Sequence, residues 1–386
     1  MALVTLRRPP GESSVGPRPH VVHLVPNLVG GGAEALVRSL CSALPSAGID
    51  VTAVTIYGSG LDARARGALG SELVEVGRRN RRDLGYFPRL VKTLRGLRPD
   101  IVHAHLHTGQ YAGRLAALLA GVPQVVFTAH GDEPQSALRH IVDRALDSRT
   151  ARFIVFTEAQ RRNFARGRHV SADRIEVIPN GVPQRTPAGD RAALRAALNV
   201  PASAFALYSI GRFEPPKNHR LAIEALALLH GRYTPDDVHL VFAGTGSLEC
   251  ELRTLVRELG LTERVHFLGF RPDAAALAGA MDLFVMTSRN ERMPLALGEA
   301  MLGGLIPVVT PWAGCEDLVV DGSTGFVAAD YSPAAFADAI RRARFAREGG
   351  SDVAENARAF AAEHFSFDAM LRRHVALYRA LAGVAA

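Results

Sequence analysis

Residues 283–309 read LFVMTSRNERMPLALGEAMLGGLIPVV and contain the unit from which we predict the whole architecture. Two continuously apolar runs, Leu283–Met286 and Ile306–Val309, flank a polar loop and a helix predicted over Leu295–Met301. Continuous rather than alternating apolar residues are typical of parallel strands that are covered on both faces. The order strand, helix, strand therefore predicts a βαβ unit in a parallel sheet.

The same alternation extends from this unit toward both ends of the chain. Further strands are predicted at His20–Val25, Val51–Ile56, Ile101–Ala104, Val125–Thr128, Phe153–Phe156, Glu176–Ile178, Phe205–Ile210, Leu240–Ala243 and Val265–Leu268. Helical stretches include Glu34–Leu44, Phe87–Leu97, Gly109–Leu119, His219–Leu229, Leu248–Leu259 and Phe367–Leu381. The alternation breaks at residues 180–188, where Gly181, Pro183 and Pro187 are typical of a turn or linker. We therefore predict an α/β protein with two doubly wound, Rossmann-like parallel-sheet domains.

These patterns also predict the domain limits. We expect a flexible tail at 1–19, an N-terminal domain at 20–185, a C-terminal domain at 186–365 and a last helix at 366–386 that packs back on the N-terminal domain. Open parallel sheets bind ligands outside the carboxyl ends of their strands. Two facing sheets would thus enclose a cleft, and the informative residues should follow strands.

The composition is that of a globular protein. Hydrophobic residues make up 48% of the 386 residues and charged residues 22%, which excludes a disordered chain, a collagen and a small disulfide scaffold. A membrane-spanning protein is not expected, because no run approaches the roughly 18 apolar residues that a span needs. The net charge is uneven: residues 1–185 hold 25 basic and 15 acidic residues, a net of +10, and residues 186–386 hold 20 and 23, a net of −3. Only the first half therefore has the positive excess that favours an anionic surface.

The cysteines and the first residues bear on the cellular compartment. Cys41, Cys250 and Cys315 are far apart and form no C-x-x-C motif, which favours free thiols in a reducing compartment. Residues 1–19 contain no apolar core of the kind that a secretory signal requires. We therefore expect a cytoplasmic protein without a structural metal site.

Two loops that follow predicted strands suit an anionic ligand. Gly30–Glu34, between the first strand and a helix, lets backbone amides approach an anion beside a helix N-terminus. A nicotinamide reading is weakened because Asp50, the acidic residue expected to end the second strand, begins it. Arg212 and Lys217 flank a proline turn that opens another helix, and they suit a diphosphate. A turn without a ligand and a solvated pair of charges are the respective alternatives.

A third glycine-rich segment, Gly244–Ser247, also follows a predicted strand. It lacks the Lys-Ser/Thr that follows the glycines of a P-loop, so a P-loop is excluded. We interpret the segment as a turn in which Ser247 caps the next helix.

The sharpest signal is a pair of glutamates eight positions apart. Glu291 lies in the loop after a strand, and Glu299 lies in a helix that is otherwise apolar. A carboxylate on an apolar helix is costly to bury unless hydrogen-bond donors satisfy it. The hydroxyl groups of a sugar or a ribose would be such donors.

Several motifs occur in one characteristic order along the chain. They are Gly31–Glu34, Asp100–His105, Ile178–Val182, Gly211-Arg212 with Lys217, Val265–Gly269, Glu291 and Glu299 followed by Ala-Met, and Gly304–Val309. This ordered set resembles the retaining glycosyltransferases of family 4, which have the GT-B fold. The resemblance covers most of the chain and implies an N-terminal domain that binds the acceptor and a C-terminal domain that binds a nucleotide sugar. No D-x-D motif occurs, which argues against the other, metal-dependent glycosyltransferase fold.

The resemblance also implies roles for individual residues. Arg212 and Lys217 would bind the diphosphate and stabilise its departure. Glu291 would bind hydroxyls of the donor sugar, and His130 would lie beside the reacting sugar. Further donor contacts would come from Gly31, Gly32, Met293, Pro294, Leu295, Ala296, Glu299 at the ribose and Leu268 or Gly269 at the base. The co-substrate would be a nucleotide-diphospho-sugar, for which we expect UDP, with no other cofactor and no metal ion.

The implied reaction moves a hexose or N-acetylhexosamine to an acceptor hydroxyl with retention at the anomeric carbon. Asp132 and Glu133 follow His130 and would suit an amine-bearing acceptor such as an aminocyclitol, as in aminoglycoside biosynthesis. A turn that caps the next helix is the plain alternative for this acidic pair. We favour the small soluble acceptor and expect no nucleic-acid partner.

A second acceptor class stays open because of an arginine-rich segment. Arginines 78, 79, 81 and 82 lie close to two aromatic residues; the set is Arg78, Arg79, Arg81, Arg82, Tyr86 and Phe87. Basic residues beside aromatic ones can lie on an anionic membrane, which favours a lipid or a cell-envelope glycan as acceptor. A solvated loop is the plain alternative.

Other functions also stay open. His103, His105 and His107 are expected on one strand face, where they could bind a metal or be core and pocket-rim histidines. A sugar-nucleotide epimerase of the GT-B type would share the nucleotide site and lack an acceptor. A dinucleotide-dependent oxidoreductase would leave the two glutamates and the two cations unexplained.

Overall fold

The computed structural model describes residues 18–80, 82–131, 137–183, 189–232 and 238–384. The strands of the first sheet are β1 (His20–Val25), β2 (Asp50–Thr55), β3 (Glu72–Glu75), β4 (Ile101–His105), β5 (Gln124–Thr128), β6 (Arg152–Val155) and β7 (Ile175–Val177). Those of the second sheet are β8 (Phe205–Ile210), β9 (Val238–Ala243), β10 (Val265–Phe267), β11 (Leu283–Met286), β12 (Ile306–Val309) and β13 (Phe326–Val327).

Helices cover both faces of each sheet. In the N-terminal half they are α1 (Gly32–Ala43), α2 (Ala63–Gly67), α3 (Tyr86–Leu97), α4 (Leu106–Thr108), α5 (Arg114–Ala120), α6 (Ala137–Asp147) and α7 (Glu158–Arg168). In the C-terminal half they are α8 (Arg191–Ala197), α9 (His219–Arg232), α10 (Glu249–Glu258), α11 (Leu295–Leu302), α12 (Pro333–Glu348), α13 (Val353–His364) and α14 (Phe367–Leu381). Among the helices of the described residues, none combines the length and apolar character that crossing a bilayer requires.

Both sheets are parallel and doubly wound. Their strand orders are β3-β2-β1-β4-β5-β6-β7 and β10-β9-β8-β11-β12-β13. The direction of winding reverses between β1 and β4 in one sheet and between β8 and β11 in the other, and crevices for ligands open at such points. The predicted fold class, two Rossmann-like doubly wound parallel-sheet domains, is confirmed.

The unit from which the fold was predicted is present in β11, α11 and β12. Leu283 pairs with Ile306 and Met286 pairs with Val309, so the two strands are in parallel register. Every residue of both strands is buried, which is why their sequences are continuously apolar.

Two edge strands, β3 and β13, escaped the sequence analysis, whereas the edge strands β7 and β10 were predicted. β3 has an exposed residue at each end and two half-buried residues between them, so it has no buried apolar run. β13 has only two residues. Edge strands are covered on fewer sides than central ones, so their sequences carry a weaker apolar signal.

One prediction about the histidines was wrong. His103 and His105 lie on β4, but the strand ends at His105 and His107 lies in α4. The chain turns at Leu106, whose φ of 57° is in the left-handed region that side chains other than glycine rarely adopt. His107 therefore does not share a strand face with the other two.

The chain passes between the two halves at two adjacent points. Val182 N–H donates to the carbonyl of Phe365 at 2.9 Å, so the first crossing lies beside the second. After the second crossing, α14 packs on the N-terminal sheet, where Tyr378 joins the buried cluster that contains Val21 of β1. The residues at which each domain begins and ends stay a prediction.

Gly181 should be indispensable to the packing of these crossings. A Cβ at this position would lie 2.5 Å from Phe367 Cα and 2.9 Å from the Ser366 carbonyl oxygen, and both are backbone atoms that cannot rotate away. We expect Gly181→Ala to lower the free energy of unfolding by about 1–3 kcal/mol, measured by urea denaturation.

Gly58→Ala is the matched control, because a Cβ there meets nothing within 4 Å. Its stability should stay within about 0.5 kcal/mol of the unmodified protein. Equal stability of the two variants would contradict the close packing at the crossings.

Candidate active site

The glycine loop after β1 leads directly into α1. Gly31 is the N-cap of α1 and offers no side chain to the free amides of the first turn. A Cβ at Gly31 would lie 2.6 Å from Glu34 Oε2, so the carboxylate of Glu34 folds back over the start of its own helix. An anion is thus already drawn to the partial positive charge of this helix N-terminus.

A second helix N-terminus lies across the cleft from the first. α11 begins at Leu295, and its N-cap, Pro294, also lacks a capping side chain. A Cβ at Gly32 would lie 3.6 Å from Leu295 Cδ1, which is ordinary van der Waals contact between the two halves. The predicted donor residues Gly31 and Gly32 therefore face the predicted segment 293–296, and two helix N-termini converge on one place.

The two predicted cations lie on the loop after β8. Lys217 Nζ lies 2.5 Å from Glu291 Oε1, and the exposed fractions of the two side chains are 28% and 10%. Thr287 Oγ1 donates to the Lys217 carbonyl at 3.0 Å, and His219 Nε2 lies 3.2 Å from the Arg212 carbonyl oxygen. Lys217 and Glu291, which the sequence places 74 positions apart, thus form one ion pair in the cleft.

Arg212 approaches the N-terminal half through Glu34. Burial raises the pKa of Glu34, and the positive charges of Arg212 and Arg38 partly oppose that rise. A carboxylate of one half is therefore influenced by a guanidinium of the other. The positive charge of Arg212 therefore reaches the first turn of α1, where an anionic ligand would be attracted.

Glu299 lies on α11, whereas Glu291 lies in the loop before that helix. Its side chain is half-buried and lines a small pocket with Val182, Ala278 and Leu302. Burial raises the pKa of the nearby Tyr208, and the charge of Glu299 adds to the rise.

Leu268, the predicted contact for the base, follows β10. Its N–H donates to the Phe242 carbonyl at 2.9 Å, which extends the sheet pairing beyond the strand. The next residue, Gly269, has a φ of 68° and accepts a hydrogen bond of 2.8 Å from Gly244 N–H. Leu268 therefore lies at the carboxyl ends of the strands, as do the other predicted donor residues of this half.

The glycine segment after β9 supports the cation loop instead of capping a helix. A Cβ at Gly244 would collide with the carbonyl oxygen of Gly211. The prediction that Ser247 caps the next helix was wrong, because Leu248 is the N-cap of α10. Ser247 Oγ instead donates to a carboxylate oxygen of Glu214 at 2.8 Å.

Asn180 is a site residue that the sequence analysis quoted only as part of a motif. Its Nδ2 donates to the Met293 carbonyl at 2.7 Å, and its backbone N–H lies 3.2 Å from Met293 Sδ. Asn180 is buried, so it ties the crossing between the halves to the loop before α11. An amide side chain between Pro179 and Gly181 was the available signal.

His130 follows β5 at the carboxyl end of the N-terminal sheet. Gln160 fixes the preceding residue by donating to the Ala129 carbonyl at 2.8 Å, and the ring of His130 lies 5.6 Å from that of Phe156. The ring is only partly exposed, and burial lowers its pKa to about 4. His130 is therefore neutral near pH 7, with one donor and one acceptor nitrogen.

A cluster of histidines lies behind His130. The ligand atoms of His23, His103 and His105 lie within 4.8 Å of one another, which is close enough to suggest a metal site. The ring nitrogens are, however, in hydrogen-bond contact with each other and with neighbouring side chains, for example His23 Nδ1 with His105 Nε2 at 3.0 Å. These contacts satisfy the rings without an ion, and the absence of a metal requirement stays a prediction.

The two predicted acceptor surfaces differ in how much the structure describes. Asp132 and Glu133 lie outside the described residues, as does Arg81. Arg78 stacks on the ring of Tyr86, with its guanidinium carbon 4.3 Å from the ring centre. The backbone N–H of Arg79 donates to Asp83 at 3.1 Å, and that of Arg82 donates to Asn80 at 2.9 Å. Next to them Leu84 is 76% exposed, and Phe87 is half-buried.

Two sequence families match the chain, one in each half. The family described as Glycosyltransferase Family 4 matches residues 30–185. The family described as Glycosyl transferases group 1 matches residues 190–360. Together they include the glycine loop, the cation loop and both glutamates.

Curated relatives and solved structures agree with these families. Over 258 residues the chain is 33% identical to the UDP-Gal:alpha-D-GlcNAc-diphosphoundecaprenol alpha-1,3-galactosyltransferase of Escherichia coli. This alignment covers 64% of this chain and 66% of that protein. Over 300 residues it is 31% identical to the D-inositol 3-phosphate glycosyltransferase of Mycobacterium avium (strain 104), with 72% of this chain and 69% of that protein covered. The chain thus spans about two thirds of the length of these relatives.

The fold also matches that of a solved structure. The crystal structure of Anabaena HepE in complex with UDP and glucose has a TM-score of 0.81 and an identity of 23%, over 94% of this chain and 100% of that chain. At this identity the likeness concerns the fold alone.

Acid should destabilise the protein because several buried histidines are neutral. Burial lowers the pKa of His130, His219 and His374 to about 4, whereas the pKa of a histidine in the unfolded chain is about 6.5. Between these values the unfolded chain binds protons that the folded chain does not, so stability rises with pH and is lost as pH falls. When the pH falls from about 7.5 to about 5, each such histidine should lower the free energy of unfolding by ~2 kcal/mol.

Urea midpoints measured at the two pH values test this expectation. His364→Gln is the control for replacing a histidine, because His364 is exposed and its replacement should leave the urea midpoint at pH 7.5 unchanged. Equal midpoints at both pH values would show that the buried rings take up protons in the folded state.

Proposed function

Because this chain belongs to the glycosyltransferases that combine a family 4 domain with a group 1 domain, we propose that it transfers a sugar from a nucleotide-diphospho-sugar to an acceptor hydroxyl. The sugar is a hexose or N-acetylhexosamine, and its anomeric configuration is retained. UDP is the expected nucleotide, which the name of the Escherichia coli relative supports.

One observation carries the proposal: two helix N-termini and two cations converge on one part of the cleft. The starts of α1 and α11 meet at the contact of Gly32 with Leu295. Lys217 lies in the cleft, and Arg212 is close enough to Glu34 to affect its pKa. Such an arrangement suits a diphosphate, which carries more charge than one helix N-terminus would offset.

The ion pair of Lys217 with Glu291 suggests how the donor is held. When a diphosphate arrives, Lys217 can turn from the carboxylate to the phosphate, because its side chain is partly exposed. Glu291 is then left to accept hydrogen bonds from hydroxyls of the donor sugar. We propose that Glu299, which lines the pocket beside Val182, accepts hydrogen bonds from the ribose.

The chemistry follows from the leaving group. The bond from the anomeric carbon to the diphosphate oxygen breaks while the acceptor oxygen bonds to that carbon on the same face, and the acceptor proton passes to the departing diphosphate. Lys217, Arg212 and the amides at the two helix N-termini stabilise the charge that develops on the diphosphate. Closure of the halves excludes water, which would otherwise compete with the acceptor.

For the acceptor we propose a small polyhydroxylated ring of the cyclitol class. The Mycobacterium avium relative is named for D-inositol 3-phosphate, which belongs to this class. The narrower prediction of an aminocyclitol from aminoglycoside biosynthesis rested on Asp132 and Glu133, which lie outside the described residues. It stays a prediction, as does the cytoplasmic location.

A lipid-linked acceptor is the second candidate. The Escherichia coli relative is named for a sugar linked to diphosphoundecaprenol. The exposed side chain of Leu84 beside the arginines at 78, 79 and 82 offers an apolar and basic surface that could lie on an anionic membrane.

Removal of the two cations should impair turnover most. We expect Arg212→Ala with Lys217→Ala to lower kcat by about 100-fold or more, because the leaving diphosphate loses its charge stabilisation. The measurement is product formation from a panel of nucleotide sugars and acceptors, followed by mass spectrometry.

Arg220→Ala is the control, since Arg220 is exposed on α9 and pairs with Glu224 at 2.7 Å. It should keep full activity. Unchanged turnover in the double variant would refute the diphosphate assignment. Conversion of the nucleotide sugar without an acceptor would indicate an epimerase, and oxidation of added NADH would indicate an oxidoreductase.

The acceptor class can be tested separately. We expect transfer to a cyclitol phosphate or an aminocyclitol, and no sedimentation of the protein with anionic vesicles at low salt. Arg79→Ala with Arg82→Ala should then leave transfer unchanged. Salt-sensitive vesicle binding that this variant loses, together with transfer to a polyprenyl-diphosphate-linked sugar, would favour the lipid-linked acceptor instead.

A further inference from the structure

The N-terminal half contains a buried series of histidines that ends at His130. His23 on β1 lies in parallel register with His103 on β4, and His105 lies two residues further along β4. All three side chains are fully buried. Burial lowers the pKa of His23 to about 3 and holds the pKa of His103 and His105 well below the usual range, so the three rings are neutral.

Hydrogen-bond contacts join these rings in a line. His130 Nε2 lies 3.1 Å from His105 Nδ1, and His105 Nε2 lies 3.0 Å from His23 Nδ1. His23 Nε2 lies 3.5 Å from the hydroxyl of Tyr378 on α14, the longest link of the line. We call His130, His105, His23 and Tyr378 the histidine relay.

The chemistry of neutral imidazole couples the members of the relay. Each ring has one N–H donor and one acceptor nitrogen, so a ring that donates on one side must accept on the other. Only two arrangements satisfy every link. Either all three rings are protonated on Nε2 and donate toward Tyr378, or all three are protonated on Nδ1 and donate away from it.

Tyr378 selects between these arrangements. Its hydroxyl has a single proton and lies 2.6 Å from His103 Nδ1, much nearer than His23 Nε2. If that proton goes to His103, the phenol oxygen can only accept from His23 Nε2–H. His103 then keeps its own proton on Nε2, which lies 2.7 Å from Thr128 Oγ1. In that arrangement the relay has the Nε2–H form, which leaves the lone pair of His130 on Nδ1.

Close packing keeps the rings in these orientations. The ring centres of His103 and His105 are 4.0 Å apart, and those of His23 and His105 are 5.2 Å apart. Rotation of one ring would break contacts on both sides of it. A change at Tyr378 would therefore reach His130 without any direct contact between the two residues.

We propose that Tyr378, His23 and His105 are positioning residues that hold His130 in one orientation and one tautomer, with Nδ1 as the acceptor of a hydrogen bond from a substrate hydroxyl. The inference rests on the proposed function, because that function places a hydroxyl-bearing sugar or acceptor beside His130. Sugar and cyclitol hydroxyls are both donors of the required kind.

The direct test is the tautomeric state of His130, which can be read from its side-chain nitrogen shifts in ¹⁵N-histidine-labelled protein and assigned with His130→Gln. We expect a single Nε2–H form in the unmodified protein and a mixture of forms in Tyr378→Phe. Tyr208→Phe is the matched control, because Tyr208 is also fully buried and its hydroxyl donates to the Ala274 carbonyl at 2.9 Å. The control should lose similar thermal stability and leave His130 unchanged.

Activity gives a second readout. With the donor and acceptor on which the unmodified enzyme is active, Tyr378→Phe should lower kcat by about tenfold or more with little change in the donor KM, and Tyr208→Phe should not. His105→Phe, which keeps an aromatic ring but no nitrogen, should have the larger effect. An unmodified protein that transfers no sugar would refute the proposed function, whereas the nitrogen shifts would still test the relay.

Three results would overturn the relay. One is an Nδ1–H form of His130 in the unmodified protein. Another is the same single tautomer of His130 in Tyr378→Phe. The third is a stoichiometric metal ion bound by His23, His103 and His105 in purified protein, because a metal would take the nitrogens that the relay needs.

Discussion

The N-termini of α1 and α11 approach each other across the cleft between the two halves. α1 follows β1 and α11 follows β11, and both strands lie where the winding of their sheet reverses. Each helix begins without a capping side chain. Their starts approach at Gly32, where a Cβ would lie in ordinary van der Waals contact with Leu295. The free amides and partial positive charges of both helices are therefore available to one ligand.

The charged side chains around this point lie beside opposite charges within the protein. Lys217 is paired with Glu291, and Glu34 folds over its own helix N-terminus close to Arg212. Partly exposed ion pairs contribute little to stability, so exchanging them for contacts with a ligand costs little. The structural ion pairs lie elsewhere, for example between the fully buried Arg114 and Asp147 at 2.7 Å.

Much of the fold could be predicted because its central strands appear in the sequence as short runs of consecutive apolar residues. Continuous apolar runs identified the central strands, whereas the roles of Glu291 and Glu299 in binding a donor stay a prediction. Features that depend on register between distant segments could not be predicted. His23 joins His103 only through the pairing of β1 with β4, and Asn180 reaches Met293 only after the halves have packed. The left-handed turn at Leu106, which removes His107 from the strand face, has no sequence signal either.

A crystal structure of the protein with UDP bound would locate the diphosphate directly. We expect a β-phosphate within hydrogen-bond distance of the amides of Gly32 and Leu295, with Lys217 turned from Glu291 to the phosphate. A diphosphate bound elsewhere, or bound in the cleft while Lys217 keeps its contact with Glu291, would rule out this binding mode.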